Sequence, residues 1–119
     1  MKIYMDDARE TPNGYCRVYD IAAAAGLIRT QEEARDLAWM NYLCGHYTRE
    51  QLNWWLEYAT IEEISCDNDL GFGQAEGYKL LDWLEATGRN YPIHIHTDNA
   101  VARERMRAII ERNGWTEVK

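Results

Sequence analysis

Three short apolar runs in this chain end in the same way. Lys2–Met5 runs into Asp6-Asp7, Ile61–Cys66 into Asp67-Asn68-Asp69, and Tyr91–Thr97 closes on His96-Thr97-Asp98-Asn99. Each run has the length of a strand. Between the second and third, Gln74 to Thr87 places Leu80, Leu81 and Leu84 at helical spacing, with Gly88 as a stop. After the third, Asp98 or Asn99 caps a helix that buries Ala102, Met106, Ile109 and Ile110 and closes at Asn113-Gly114. Strands that alternate with helices build a parallel sheet covered on both faces, and ligands of such sheets sit outside the carboxyl ends of the strands. The three polar clusters are therefore expected to meet on one edge.

The rest of the chain fits around that frame. Arg9 to Gly14 is a loop, Tyr15 to Tyr19 alternates as a second strand, and Trp115 to Val118 supplies a last short one. Ile21 to Ile28 is alanine-rich and reads equally as a short helix or a packed loop. Thr30-Gln31-Glu32-Glu33 and Thr48-Arg49-Glu50-Gln51 both match the capping box, so each is expected to start a helix. The first carries Ala34, Leu37, Ala38 and Asn41 and ends near Gly45; the second carries Leu52, Trp55, Leu56 and Ala59. With Trp39, Tyr42, Tyr47, Trp54 and Tyr58 they form an aromatic-rich helical hairpin over about 30–59, inserted in one domain, 1–119. The hairpin aromatics read as core, as a homodimer face, or as stacking platforms for a base.

Composition excludes several classes of function. A net charge of −7 argues against a broad hold on DNA or RNA, which needs clustered Lys and Arg. No run of about 18 apolar residues predicts a membrane span, and the N-terminus lacks the apolar stretch of a signal peptide. A cytoplasmic protein is the expectation. Cys16, Cys44 and Cys66 are odd in number and form no CxxC, which argues against zinc and against a disulfide framework; three reduced, mostly buried thiols are expected.

The polar clusters carry the chemistry. Asp6, Asp7, Asp67 and Asp69 offer hard oxygen ligands of the kind magnesium prefers at about 2.1 Å. Four acids on one edge repel unless a cation or shifted pKa values let them coexist; the alternative is that each merely caps a local turn. His94 and His96 share a strand face. His96, nearer the carboxyl end, is the candidate proton carrier, and His94 reads as a structural histidine bonded to a carbonyl. His46 reads as surface. Thr97, Asn99 and the first amides of the last helix form a candidate phosphate site, with Arg9 as a bidentate partner and Arg103 as a weaker one.

These motifs resemble the response-regulator receiver domain and, more closely, its offshoot, the cyclic-phosphate processing receiver-like domain of bacteria and their phages. The resemblance rests on Met5-Asp6-Asp7-Ala8-Arg9 with Pro12, on Ile64-Ser65-Cys66-Asp67-Asn68-Asp69-Leu70-Gly71, on Gly77-Tyr78, and on Ile93-His94-Ile95-His96-Thr97-Asp98-Asn99 with Met106. Asn68 stands where that family often has His, and Ala102 where a glycine is usual. The resemblance implies a flavodoxin-like α/β fold, a three-layer sandwich with about five parallel strands. It implies Mg2+ or Mn2+ on Asp7 and Asp67, with the Asp69 carbonyl as a third ligand and Asp6 holding a water. It further implies hydrolysis of a cyclic nucleotide or a 2′,3′-cyclic phosphate end, with His96 protonating the leaving oxygen or Asp69 positioning the water. A non-catalytic cyclic-nucleotide binding module, of use to a phage against a defence signal, remains open. So does a receiver phosphorylated on Asp67, for which Lys119 is the one candidate for the receiver lysine. A two-histidine phosphoesterase is excluded, because no second His-x-Thr/Ser repeat exists.

Overall fold

The computed structural model describes residues 1–119. Its strands are β1 (Lys2–Met5), β2 (Tyr15–Val18), β3 (Glu63–Cys66), β4 (Ile93–Ile95) and β5 (Glu117–Val118). All pair parallel, in the order β2-β1-β3-β4-β5. The helices are α1 (Ile21–Leu43), α2 (Arg49–Ala59), α3 (Tyr78–Ala86) and α4 (Ala100–Asn113). This is the expected α/β, receiver-like fold.

The layering refines the expected three-layer sandwich. Right-handed crossovers place connections that travel in one direction along a sheet on one face, and those that travel back on the other. The connections β2→β3, β3→β4 and β4→β5 run one way and carry all four helices; only β1→β2 runs the other way. The core agrees. Ile3, Met5, Val18, Ile64, Cys66 and Ile93 point to one face and join a single apolar cluster with Ala24, Ile28, Leu80, Leu84, Met106 and Ile110 of the helices. The opposite face presents Tyr4, Tyr15, Arg17, Glu63, Ser65 and His94. There the third layer is a loop, residues 6–14, held down by Arg17, whose guanidinium donates to the Arg9 carbonyl and to Thr11 Oγ1. The Tyr15 hydroxyl donates to Glu63 on this face, which pushes the phenol up to about 12.

Two helix starts differ from expectation. Helix α1 starts at Ile21, capped by Asp20, whose Oδ1 accepts from the Ala23 amide at 2.8 Å. Thr30 lies inside it and donates to the Gly26 carbonyl at 2.9 Å, so the first capping box does not form. The second does: Thr48 and Gln51 satisfy each other's amides. Helix α3 starts at Tyr78 rather than Gln74. The chain just before it is held on the acid loop instead, where the Gly77 amide donates to the Asn68 carbonyl at 2.7 Å and the Tyr78 amide to Asn68 Oδ1 at 3.2 Å. The thiols differ too: Cys66 alone is buried, which raises its pKa to about 12, while Cys16 and Cys44 are exposed and free.

A helix of 23 residues is about 35 Å long, against strands of four residues or fewer. The α1–α2 hairpin therefore overhangs the sheet, along a molecule measuring 50 × 30 × 26 Å. Ala38 and Leu52 fill its interior, and Leu37, Met40, Leu43 and Trp54 lie exposed on its outside. No helix is long and apolar enough to cross a membrane.

Candidate functional site at the acidic strand edge

Seven of the eight site residues expected from the sequence meet. Asp6, Asp7, Arg9, Asp67, Asp69, Thr97 and Asn99 line one cleft of about 480 Å³ at the carboxyl ends of β1, β3 and β4. The parallel ladder continues beyond the strands and fixes that edge. The Asp67 amide donates to the Met5 carbonyl and the His96 amide to the Cys66 carbonyl, both at 3.0 Å.

The four acids divide into two pairs. Asp6 and Asp67 are buried; Asp7 and Asp69 are exposed on the cleft wall. Asp6 Oδ1 accepts from the amides of Ala8 at 2.9 Å and Arg9 at 3.0 Å, and Oδ2 accepts from His96 Nε2 at 2.9 Å. Burial alone would raise this carboxyl, but those three donors outweigh it and hold Asp6 below the usual carboxylate range. Asp67 goes the other way. Burial pushes it up and the Asp6 charge adds to this, against a single amide bond from Asn68. Asp69 accepts from the Gly71 amide at 3.2 Å.

His96 sits behind the cleft. Its ring stacks on Tyr4 at 4.4 Å between centroids, and Nδ1 lies 2.7 Å from Ser65 Oγ. An ionised Asp6 can only accept, so Nε2 carries the proton and Nδ1 takes the Ser65 hydroxyl. Burial lowers the His96 pKa, which keeps the ring neutral in this arrangement. Both nitrogens are engaged, so the ring anchors Asp6 and presents no free nitrogen to a leaving group. Ser65 and Tyr4 were not singled out from the sequence. The signal was the strand period of two: Tyr4 precedes Asp6, and Ser65 precedes Asp67, by two residues, which puts them on the face of His96.

The opposite wall carries Arg9 and the start of α4. Arg9 donates to the His96 carbonyl at 2.7 Å and pairs with Asp98 at 2.5 Å, bridging the β1 and β4 ends. Asn99 caps α4 through the Ala102 amide at 3.0 Å, and Thr97 Oγ1 accepts from the Asn99 amide at 3.2 Å. Arg103 is turned back onto the Thr97 carbonyl. His94 bonds the Val118 carbonyl at 2.9 Å and His46 is exposed, each as expected. Lys119 is exposed, pairs with Glu117 at 2.8 Å, and does not line the cleft.

One glycine shapes the acid loop. A Cβ on Gly77 would lie 1.8 Å from the Asp67 carbonyl oxygen, so only glycine lets the start of α3 close on this loop. The Gly77 amide donates to the Asn68 carbonyl at 2.7 Å.

The donor set fits a hard divalent cation. Carboxylate oxygens of Asp6 and Asp67 lie within 4.8 Å of one another, while both His96 nitrogens are already engaged; burial and then the neighbouring Asp6 charge raise the Asp67 pKa, a cost that a cation would remove.

A family model, the cyclic-phosphate processing receiver domain, matches residues 41–112, more than half of the chain. The chain belongs to that family. The matched span of this receiver domain holds Asp67, Asp69, Thr97 and Asn99; Asp6, Asp7 and Arg9 lie before it and reach the same cleft through the fold. No curated protein and no solved structure matches.

Proposed function

We propose that the cleft hydrolyses a cyclic phosphodiester with the help of a divalent cation, Mg2+ or Mn2+. One observation carries this reading. Two buried acids on neighbouring strand ends face a wall that carries Arg9, Thr97 and the α4 N-terminus, so cation and phosphate each find their complement in one cleft. Asp6 and Asp67 would hold the cation, with Asp7 and Asp69 in reach. When bound, it would polarise the phosphoryl oxygens and acidify a water.

The chain's own residues do the rest. Arg9, freed from Asp98, grips a phosphoryl oxygen bidentately, and the Thr97 hydroxyl and first α4 amides take another. Asp69, exposed on the wall, accepts the proton of the attacking water. The water oxygen adds to phosphorus, one ring P–O bond breaks, and the departing alkoxide takes a proton from solvent in the open cleft. The product is a monoester bearing a free hydroxyl. His96 keeps Asp6 in place throughout. A receiver switched by phosphorylation of Asp67 is less well supported, because Lys119 is paired with Glu117.

Phosphorus NMR tests the proposal. Cyclic nucleotides and 2′,3′-cyclic ends, incubated with the protein and Mg2+ or Mn2+, should yield a monoester signal that chelator and Asp67→Asn both abolish. Binding without any monoester signal would reassign the cleft to a binding module.

A further inference from the structure

The acidic cleft does not end at Asp69. A second hollow of about 260 Å³ shares Asp69 and Asn99 with it, and a third of about 130 Å³ shares Asn68, Glu76 and Asn99 with the second. The three run in series from the acid pair to Tyr78 and Arg105. We propose that this extension is a guanine subsite, so that the substrate is a guanosine cyclic phosphate; this rests on the cyclic-phosphate reading of the cleft.

Asn68 is the deciding residue. It is 3% exposed and lines both outer hollows. Its Oδ1 accepts from the Tyr78 amide at 3.2 Å, which fixes the orientation of the side chain and leaves the NH2 group with no partner in the fold. That group opens to solvent in the hollows it lines, where a ligand can accept from it. Glu76 lines the same two hollows, and its carboxylate makes no bond within the chain. One donor and one two-oxygen acceptor lining the same hollows complement guanine, whose O6 accepts while N1–H and N2–H donate side by side. Adenine, cytosine and uracil each offer only one donor position along that edge, so one carboxylate oxygen would face a lone pair. At the far end the Arg105 guanidinium lies 4.4 Å over the Tyr78 ring, a flat cationic plate of the kind on which bases stack.

Two measurements separate this subsite from the chemistry. The side-chain amide resonances of Asn68 are followed while guanosine, adenosine, cytidine and uridine are added without any phosphate. Affinity and turnover are then measured for the 2′,3′- and 3′,5′-cyclic monophosphates of all four, with Mg2+. Guanosine alone should shift the Asn68 resonances, and the guanine cyclic phosphates should bind about ten- to a hundredfold more tightly than the others. Glu76→Gln, at an exposed residue whose side chain bonds nothing, should erase that preference and bring the guanine cyclic phosphates to the affinity of the others. Asn68→Asp keeps the acceptor for Tyr78 and should erase it as well. Guanine preference without cleavage supports the subsite and sinks the hydrolytic reading. Cleavage of all four bases with equal affinity does the reverse. Failure of every nucleotide to bind, or a preference that survives both variants, overturns the subsite.

Discussion

Asp6-Asp7 and Asp67-Asn68-Asp69 look like the same device used twice, yet within each the two acids differ. Asp6 and Asp67 continue their strands and point, by the period of two, under the loops. Asp7 and Asp69 point into solvent at the cleft wall. The buried acids differ again from each other. Asp6 is held by three donors and its charge is stabilised; Asp67 has one, and lies beside Asp6. Burial alone therefore does not decide what a carboxylate contributes. The donors aimed at it decide whether it is a structural anchor or a charge awaiting a counterion.

Mutations break this comparison most sharply at Asp6. Asp6→Ala leaves the Ala8 and Arg9 amides and His96 without their partner, and should cost about 2–3 kcal/mol in urea unfolding. Asp67→Asn should do the opposite in metal-free buffer at pH 7, leaving stability unchanged or raising it by about 1 kcal/mol, and should abolish the rise in Tm with Mg2+ that the proposed cation site predicts for the wild type.

The pH dependence separates the two with opposite signs. The Asp6 carboxyl is lowered in the fold, so its stabilisation is present above the ordinary value of 3.8 and is lost as pH falls through the folded value. Asp67 is raised, so stability falls as pH climbs from 3.8 through its folded value. Unfolding curves of wild type and Asp67→Asn should therefore converge at low pH and part above it, and saturating Mg2+ should close the gap.

Ser65→Ala sharpens the anchor side. It removes the hydroxyl from His96 Nδ1 and should cost about 1 kcal/mol, with no direct loss of cation affinity. Asp7→Asn has the smallest expected effect on stability, within about 0.5 kcal/mol, because its carboxylate is exposed. Its effect should appear instead in a Mg2+ titration, as a weaker affinity.

What the sequence disclosed was set by how local each cause is. Thr48 with Gln51, Asn99 with Ala102, and Gly114 at φ 67 are all decided within a few residues, and each behaves as its motif predicts. Thr30-Gln31-Glu32-Glu33 carries the same local signal as Thr48 and fails. Asp20, ten residues upstream, has already started the helix, and Ala24 and Ile28 bury its first turns against the sheet. The meeting of acids, Arg9 and Thr97 was legible because parallel strands put their carboxyl ends on one edge. The His96 partners were not, since Ser65 and Tyr4 reach it across strands. Gly77 was visible as a residue but not as a requirement, because its neighbour, the Asp67 carbonyl, is ten residues away.

The placement of the aromatics has an optical consequence. Trp39, Trp54 and Trp55 sit in the hairpin, Trp83 on α3 and Trp115 after α4; none lines the acidic cleft. Tryptophan emission from this chain therefore reports on the overhanging helices and the apolar layer, and has no direct view of events at the strand edge. A ligand that changes the tryptophan spectrum has moved the scaffold, and one that leaves it unchanged has not thereby failed to bind.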